Sequence, residues 1–120
     1  MKICVPSTGQ GLAARVDRSF GQAAFFAVVD VPTMRCRCLR NLPLLPGQSG
    51  EKLTAEMVSL LGIDGVLVEE IGDGACQILQ SSGIRIFAGV LRHDTVAAAV
   101  ANFQRGAYEE SNGTGPPPLR

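Results

Sequence analysis

The chain has 120 residues, a length that builds one domain around one core. Hydrophobic residues make up 46 % and charged residues 18 %, which excludes the low-hydropathy, high-charge composition of a disordered protein. Eleven Lys and Arg balance eleven Asp and Glu, so no net field draws the chain to nucleic acid or to an anionic membrane, and any electrostatic binding must be local. The opening MKICVPSTGQG holds too short an apolar stretch for a signal-peptide core. The longest apolar run, Ala23 to Val29, ends at Asp30, well short of the roughly 18 residues of a membrane span. A cytoplasmic location is the expectation, with Cys4, Cys36, Cys38 and Cys76 as free thiols.

Lys2 to Pro6 reads as a buried strand ending in the turn-rich Ser7-Thr8-Gly9-Gln10-Gly11. Ala23 to Val31 and Met34 to Leu42 flank Pro32-Thr33 and read as a hairpin. After a loop at Pro43 to Gln48, Leu53, Met57, Leu60 and Leu61 recur at helical spacing, with Ser49 as cap and Gly62 as stop. Gly65 to Val68 is a short strand. Gly72 to Ser82 is a helix capped by Asp73, with Ala75, Ile78 and Leu79 inward. Ile84 to Ala88 is a fifth strand, and Asp94 caps a third helix carrying Val96, Val100 and Phe103 on one stripe. Residues 109–120, rich in Gly and Pro toward their end, read as a flexible tail behind a domain at 1–108.

A hairpin followed by strand-helix units predicts an α/β fold of three layers, a five-stranded mixed sheet of order 3-2-1-4-5 with helices on both faces. That order is ribonuclease-H-like, but strand one is Lys2-Ile3-Cys4-Val5-Pro6 and lacks the carboxylates that nuclease metals need. Ligands of open α/β sheets sit beyond the carboxyl ends of the strands, where the order reverses. Three glycine-bearing loops are expected on that rim: Ser7 to Gly11, Ile71 to Gly74 and Gly89 to His93. Arg15, Arg18, Lys52 and Arg92 fall beside them, and the first amides of the second helix, at Gly74 and Ala75, point there, a set suited to an anion.

Several motifs carry competing readings. Gly9-Gln10-Gly11-Leu12-Ala13-Ala14 matches G-x-G-x-x-A after a strand, with Asp30 about twenty residues on, as a nucleotide-binding redox protein would require. The hairpin that follows speaks against it, and no Walker-type phosphate loop exists. Cys36-Arg37-Cys38 puts two thiols on one strand face and arginines on the other, the pattern of cysteines packed inward. Cys76 falls in the first turn of the second helix, where amides and dipole favour a thiolate, and is the one cysteine read as a candidate metal ligand. His93 is the only histidine and is read as a single cofactor contact or a surface residue.

Taken together, the chain resembles the dinitrogenase iron-molybdenum cofactor family from about Met1 to Gly106. The resemblance is carried by Met1-Lys2-Ile3, Val16-Asp17-Arg18-Ser19-Phe20-Gly21-Gln22-Ala23, Gly62-Ile63-Asp64-Gly65-Val66, Ile71-Gly72-Asp73-Gly74-Ala75 and Gly83-Ile84-Arg85-Ile86-Phe87. It implies a ribonuclease-H-like domain that binds or carries a preformed, anionic metal-sulfur cluster and catalyses nothing itself. Many members have a histidine-bearing loop before helix one, where this chain has Pro46-Gly47-Gln48-Ser49-Gly50, and a histidine or arginine at the position of Ser19. Those departures favour the branch that holds a molybdenum-copper sulfide cluster over carriers of the iron-molybdenum cofactor or its precursor. The expected site is Gly9, Gly11, Gly72 and Gly74 with Arg15, Arg18, Arg92 and His93, shielded by Phe20 and Ile71. A monomer is expected. The resemblance also admits a regulatory module that partners small P-loop ATPases.

Overall fold

The computed structural model describes residues 1–41 and 50–111. The loop Pro43 to Gln48, the Ser49 cap and residues 112–120 of the expected tail lie outside them. Nine elements follow in order: β1 (Lys2–Ser7), β2 (Phe25–Asp30), β3 (Arg35–Arg40), α1 (Gly50–Val58), β4 (Gly65–Val68), α2 (Asp73–Ser81), β5 (Arg85–Ala88), α3 (Val96–Gln104) and β6 (Glu109–Ser111). They form one six-stranded sheet of order β3-β2-β1-β4-β5-β6. β2 pairs antiparallel with both β1 and β3, and β4 pairs parallel with both β1 and β5. β1 and β4 run as near-continuous buried residues because both of their faces are covered.

The sheet has a core on each side. On one, Cys4, Val28, Val66, Val68 and Ile86 meet Ala55 and Val58 of α1, Ala75 and Leu79 of α2, and the Phe20–Phe26 pair, whose rings stand edge-on with centroids 5.6 Å apart. On the other, Ile3, Val5, Ala27, Val29 and Leu67 meet Val96, Ala99 and Val100 of α3. Phe87 stands edge-on to Phe103 there, centroids 4.8 Å apart. This is the expected three-layer, ribonuclease-H-like arrangement, with two changes in detail.

A sixth strand adds to the sheet. Glu109–Ser111 pairs antiparallel with β5, and the Arg85 guanidinium joins Glu110 at 2.8 Å, so the chain expected to be tail is ordered as far as Ser111. The backbone edge of β5 was open, and pairing satisfies it. The second change concerns α1. Thr54, Ala55 and Val58 face the core, while Leu53 is 41 % and Leu60 85 % exposed, so the apolar spacing of Leu53 and Leu60 does not mark the buried face. Small residues let the α1 backbone approach closely, and Thr54 Oγ1 donates to the Gly21 carbonyl at 3.3 Å.

Helix starts also shift. Thr95, not Asp94, caps α3, its Oγ1 accepting the Ala98 N–H at 3.1 Å. Gly72, not Asp73, is the N-cap of α2. Among the described residues no helix is long and apolar enough to cross a membrane.

Candidate functional site

The long connection from β1 to β2 builds most of the rim. Its first half is an irregular loop pinned on both sides: Thr8 N–H donates to the Arg15 carbonyl, Asp17 N–H to Pro6, and Val16 N–H to Asp94, while Val96 and Ala97, at the start of α3, donate to Ala14 and Leu12. The segment therefore lies between β1 and α3 and is no crossover helix. Asp30 lies at the other end of β1, opposite Lys2, whereas Ser7, next to the glycine loop, lies opposite Phe25. Five residues of strand, ~17 Å, separate Asp30 from that end, so the G-x-G-x-x-A match builds no dinucleotide site.

The second half is a compact turn. Asp17 Oδ1 accepts the Ser19 N–H at 2.9 Å, and Ser19 Oγ accepts the Gln22 N–H at 3.0 Å, local bonds that hold a turn in place of regular structure. The turn drives Phe20 fully into the core and leaves Arg18 outside. Gly21 meets the first turn of α1 so closely that a Cβ there would stand 2.8 Å from the Glu51 nitrogen and 3.0 Å from the Gly50 carbonyl carbon. At Gly72 a Cβ would stand 2.5 Å from Glu51 Oε1, and at Gly74 2.5 Å from Lys52 Cε. Three glycines of the recognisable motifs thus converge on one helical turn, Gly21 against its backbone and Gly72 and Gly74 against side-chain ends.

Between these parts lies a cleft of about 540 Å³ lined by Arg18, Ser19, Gly21, Gln22, Gly50, Glu51 and Glu70, within the size range of small-ligand sites. Its charges are largely matched within the protein. Glu51 Oε1 accepts the Gly72 N–H at 2.9 Å, so a carboxylate already sits at the N-terminus of α2. Arg18 reaches Glu69 at 3.7 Å and Glu70 at 3.5 Å, and Arg92 Nε stands 3.2 Å from the other oxygen of Glu69. Glu51, Glu69 and Glu70 were absent from the sequence-predicted site, although Glu69-Glu70 directly precedes Ile71-Gly72.

The other predicted residues fall in three groups. Arg15 donates from Nη1 to the backbone carbonyl of His93 at 2.6 Å, which joins the first and third loops, while the His93 side chain lies exposed. Gly11, at φ +92°, turns its N–H onto Cys38 Sγ at 3.0 Å, and Gly9 lies partly buried in the same loop. Phe20 and Cys76 stand apart from the rim. Phe20 is core, and Ile71 is packed partly against that core. Cys76 is 3 % exposed, and burial first, then Asp73 and Glu51, push its thiol above the ordinary range. Burial thus works against the thiolate that the helix-terminus position led one to expect. Among the described residues no three His, Cys, Asp or Glu side chains stand close enough to hold a metal ion.

Comparison with known proteins agrees with this architecture. The orange protein from Desulfovibrio gigas, solved in its apo form, is 32 % identical, with 93 % of each chain covered and a TM-score of 0.83. A putative NifB protein from Thermotoga, assigned to the DUF35 family, shares the fold at 22 % identity and a TM-score of 0.74 over 91 % of each chain. No curated protein matches the sequence. Residues 1–106 match the family described as dinitrogenase iron-molybdenum cofactor; with the match spanning nearly the whole described domain, the chain belongs to that family.

Proposed function

We propose that this protein is a noncatalytic carrier of an anionic molybdenum-containing metal-sulfur cluster, with a molybdenum-copper sulfide cluster favoured over the iron-molybdenum cofactor or its precursor. The family match over residues 1–106 carries this reading. The likeness to the orange protein and the lack of a protein metal-ligand cluster among the described residues support the choice of cargo.

The ion pairs of the rim do not exclude such a cargo. Arg18 is 58 % exposed and Glu70 70 %, and exposed ion pairs contribute about 0–1 kcal/mol each. A cargo carrying several negative charges would displace them at little cost. The Glu51 carboxylate occupies the place such an anion would take at α2, and its removal would free the Gly72 amide. Arg92 and Arg15 extend the cationic side toward the third loop.

Metal and sulfide analysis with a visible spectrum, on protein purified without oxygen from its native cells, tests the reading. Coloured protein with stoichiometric molybdenum is expected, and copper or iron in fixed ratio to molybdenum and sulfide would name the cargo. Colourless, metal-free protein that also refuses added tetrathiomolybdate would overturn it and leave the regulatory module for P-loop ATPases.

A further inference from the structure

On the opposite face of the sheet from the cleft, the geometry points to a second site: Cys36 and Cys38 form a two-thiolate site for a soft, low-coordinate cation such as copper(I). The two sulfurs lie 4.0 Å apart on β3, an edge strand, and both are half-buried. Leu12, Ala14 and Met34 belong to the same apolar cluster. Gly11 aims its N–H at Cys38 Sγ from 3.0 Å, and only its left-handed backbone, φ +92°, lets the loop turn that way. An amide donor on a sulfur is the kind of outer contact that orients a thiolate ligand and tempers its charge.

The spacing favours an ion over a disulfide. Alternate residues of a strand have Cα atoms ~6.6 Å apart, at the upper end of what a disulfide spans. With metal-sulfur bonds of about 2.3 Å, the sulfur separation of 4.0 Å corresponds to an S–metal–S angle of about 120°. That is trigonal, with the third corner open to a small external ligand.

Ligand number and softness choose the ion. Zinc takes four donors, whereas thiolates select copper(I), and among the described residues no third His, Cys, Asp or Glu joins the pair. Each thiol that enters protonated releases its proton as the ion binds. Copper(I) on two thiolates carries one negative charge, which the Gly11 N–H aimed at Cys38 Sγ offsets in part. This inference does not depend on the cluster reading: it uses neither the cleft nor its arginines, and Gly11 is the one expected cluster-site residue it shares.

The test is anaerobic competition of the fully reduced protein for copper(I) held by bicinchoninate. One equivalent should leave the chelator for the wild type, and Cys36→Ser or Cys38→Ser should each lower the affinity at least 10-fold, while Cys76→Ala matches the wild type. In wild-type protein, one equivalent of silver(I) or copper(I) should shield Cys36 and Cys38 from iodoacetamide, mapped by mass spectrometry. Copper that stays with the chelator, or unchanged alkylation at both cysteines, would overturn the site whatever the fate of the variants.

Discussion

Glu51 Oε1 accepts the Gly72 N–H at 2.9 Å, so a carboxylate from the cleft wall on α1 caps the N-terminus of α2. This contact makes stability and anion binding compete for one amide. Glu51→Ala should lower stability by about 1 kcal/mol, the usual cost of a lost cap, and should raise the affinity for tetrathiomolybdate several-fold. Glu51→Gln keeps an acceptor but removes the charge, so it should keep most of the stability and still bind the anion more tightly. Urea unfolding and equilibrium dialysis measure the two effects. Weaker anion binding in both variants would place the cargo elsewhere.

Gly21 and Gly72 both crowd α1, but against different partners. A Cβ at Gly21 meets backbone at 2.8 Å, which cannot rotate away, whereas one at Gly72 meets the end of the Glu51 side chain. Gly21→Ala should cost about 2–3 kcal/mol, the upper range of overpacking. Gly72→Ala should cost nearer 1 kcal/mol, since Glu51 swings out and the cap is lost. Equal losses in urea unfolding would contradict this account of why the motif needs glycine.

Arg15→Ala, Arg18→Ala and Arg92→Ala should each weaken cargo retention several-fold and make it less sensitive to salt. Because Arg18 and Arg92 are themselves about half exposed, removing either should change stability by less than about 1 kcal/mol. Cys36→Ser should leave cluster retention as it is. Retention that follows Cys36 and ignores the arginines would move the cargo to β3.

Burial pushes the Cys4 thiol from 9.0 up to about 12. The folded state thus holds a proton that the unfolded chain releases from about pH 9 upward. Stability from this group is complete below the unfolded value and declines as pH rises through the window from about 9 to 12, by at most roughly 1.4 kcal/mol per pH unit. Cys4→Ala should flatten the alkaline decline of the urea midpoint between pH 8 and 10.5, despite a lower midpoint at pH 8. A parallel decline in both proteins would show that other groups govern alkaline unfolding.

Much of this protein was legible along the chain. The order of the first five strands, the three glycine-bearing loops and the glycine motifs follow from local patterns, because periodicity and turn chemistry act between near neighbours. Residues 1–106 could be aligned to a family for the same reason. Only the tertiary structure decided which charges meet. Glu51, Glu69 and Glu70 reach the rim from different elements, and Gly11 finds Cys38 across 27 positions of sequence. It also placed Phe20 and Cys76 in the core and turned Leu53 and Leu60 outward. A pattern of residue types names what each position can do, but pairing, desolvation and close approach depend on what the folded chain brings beside it.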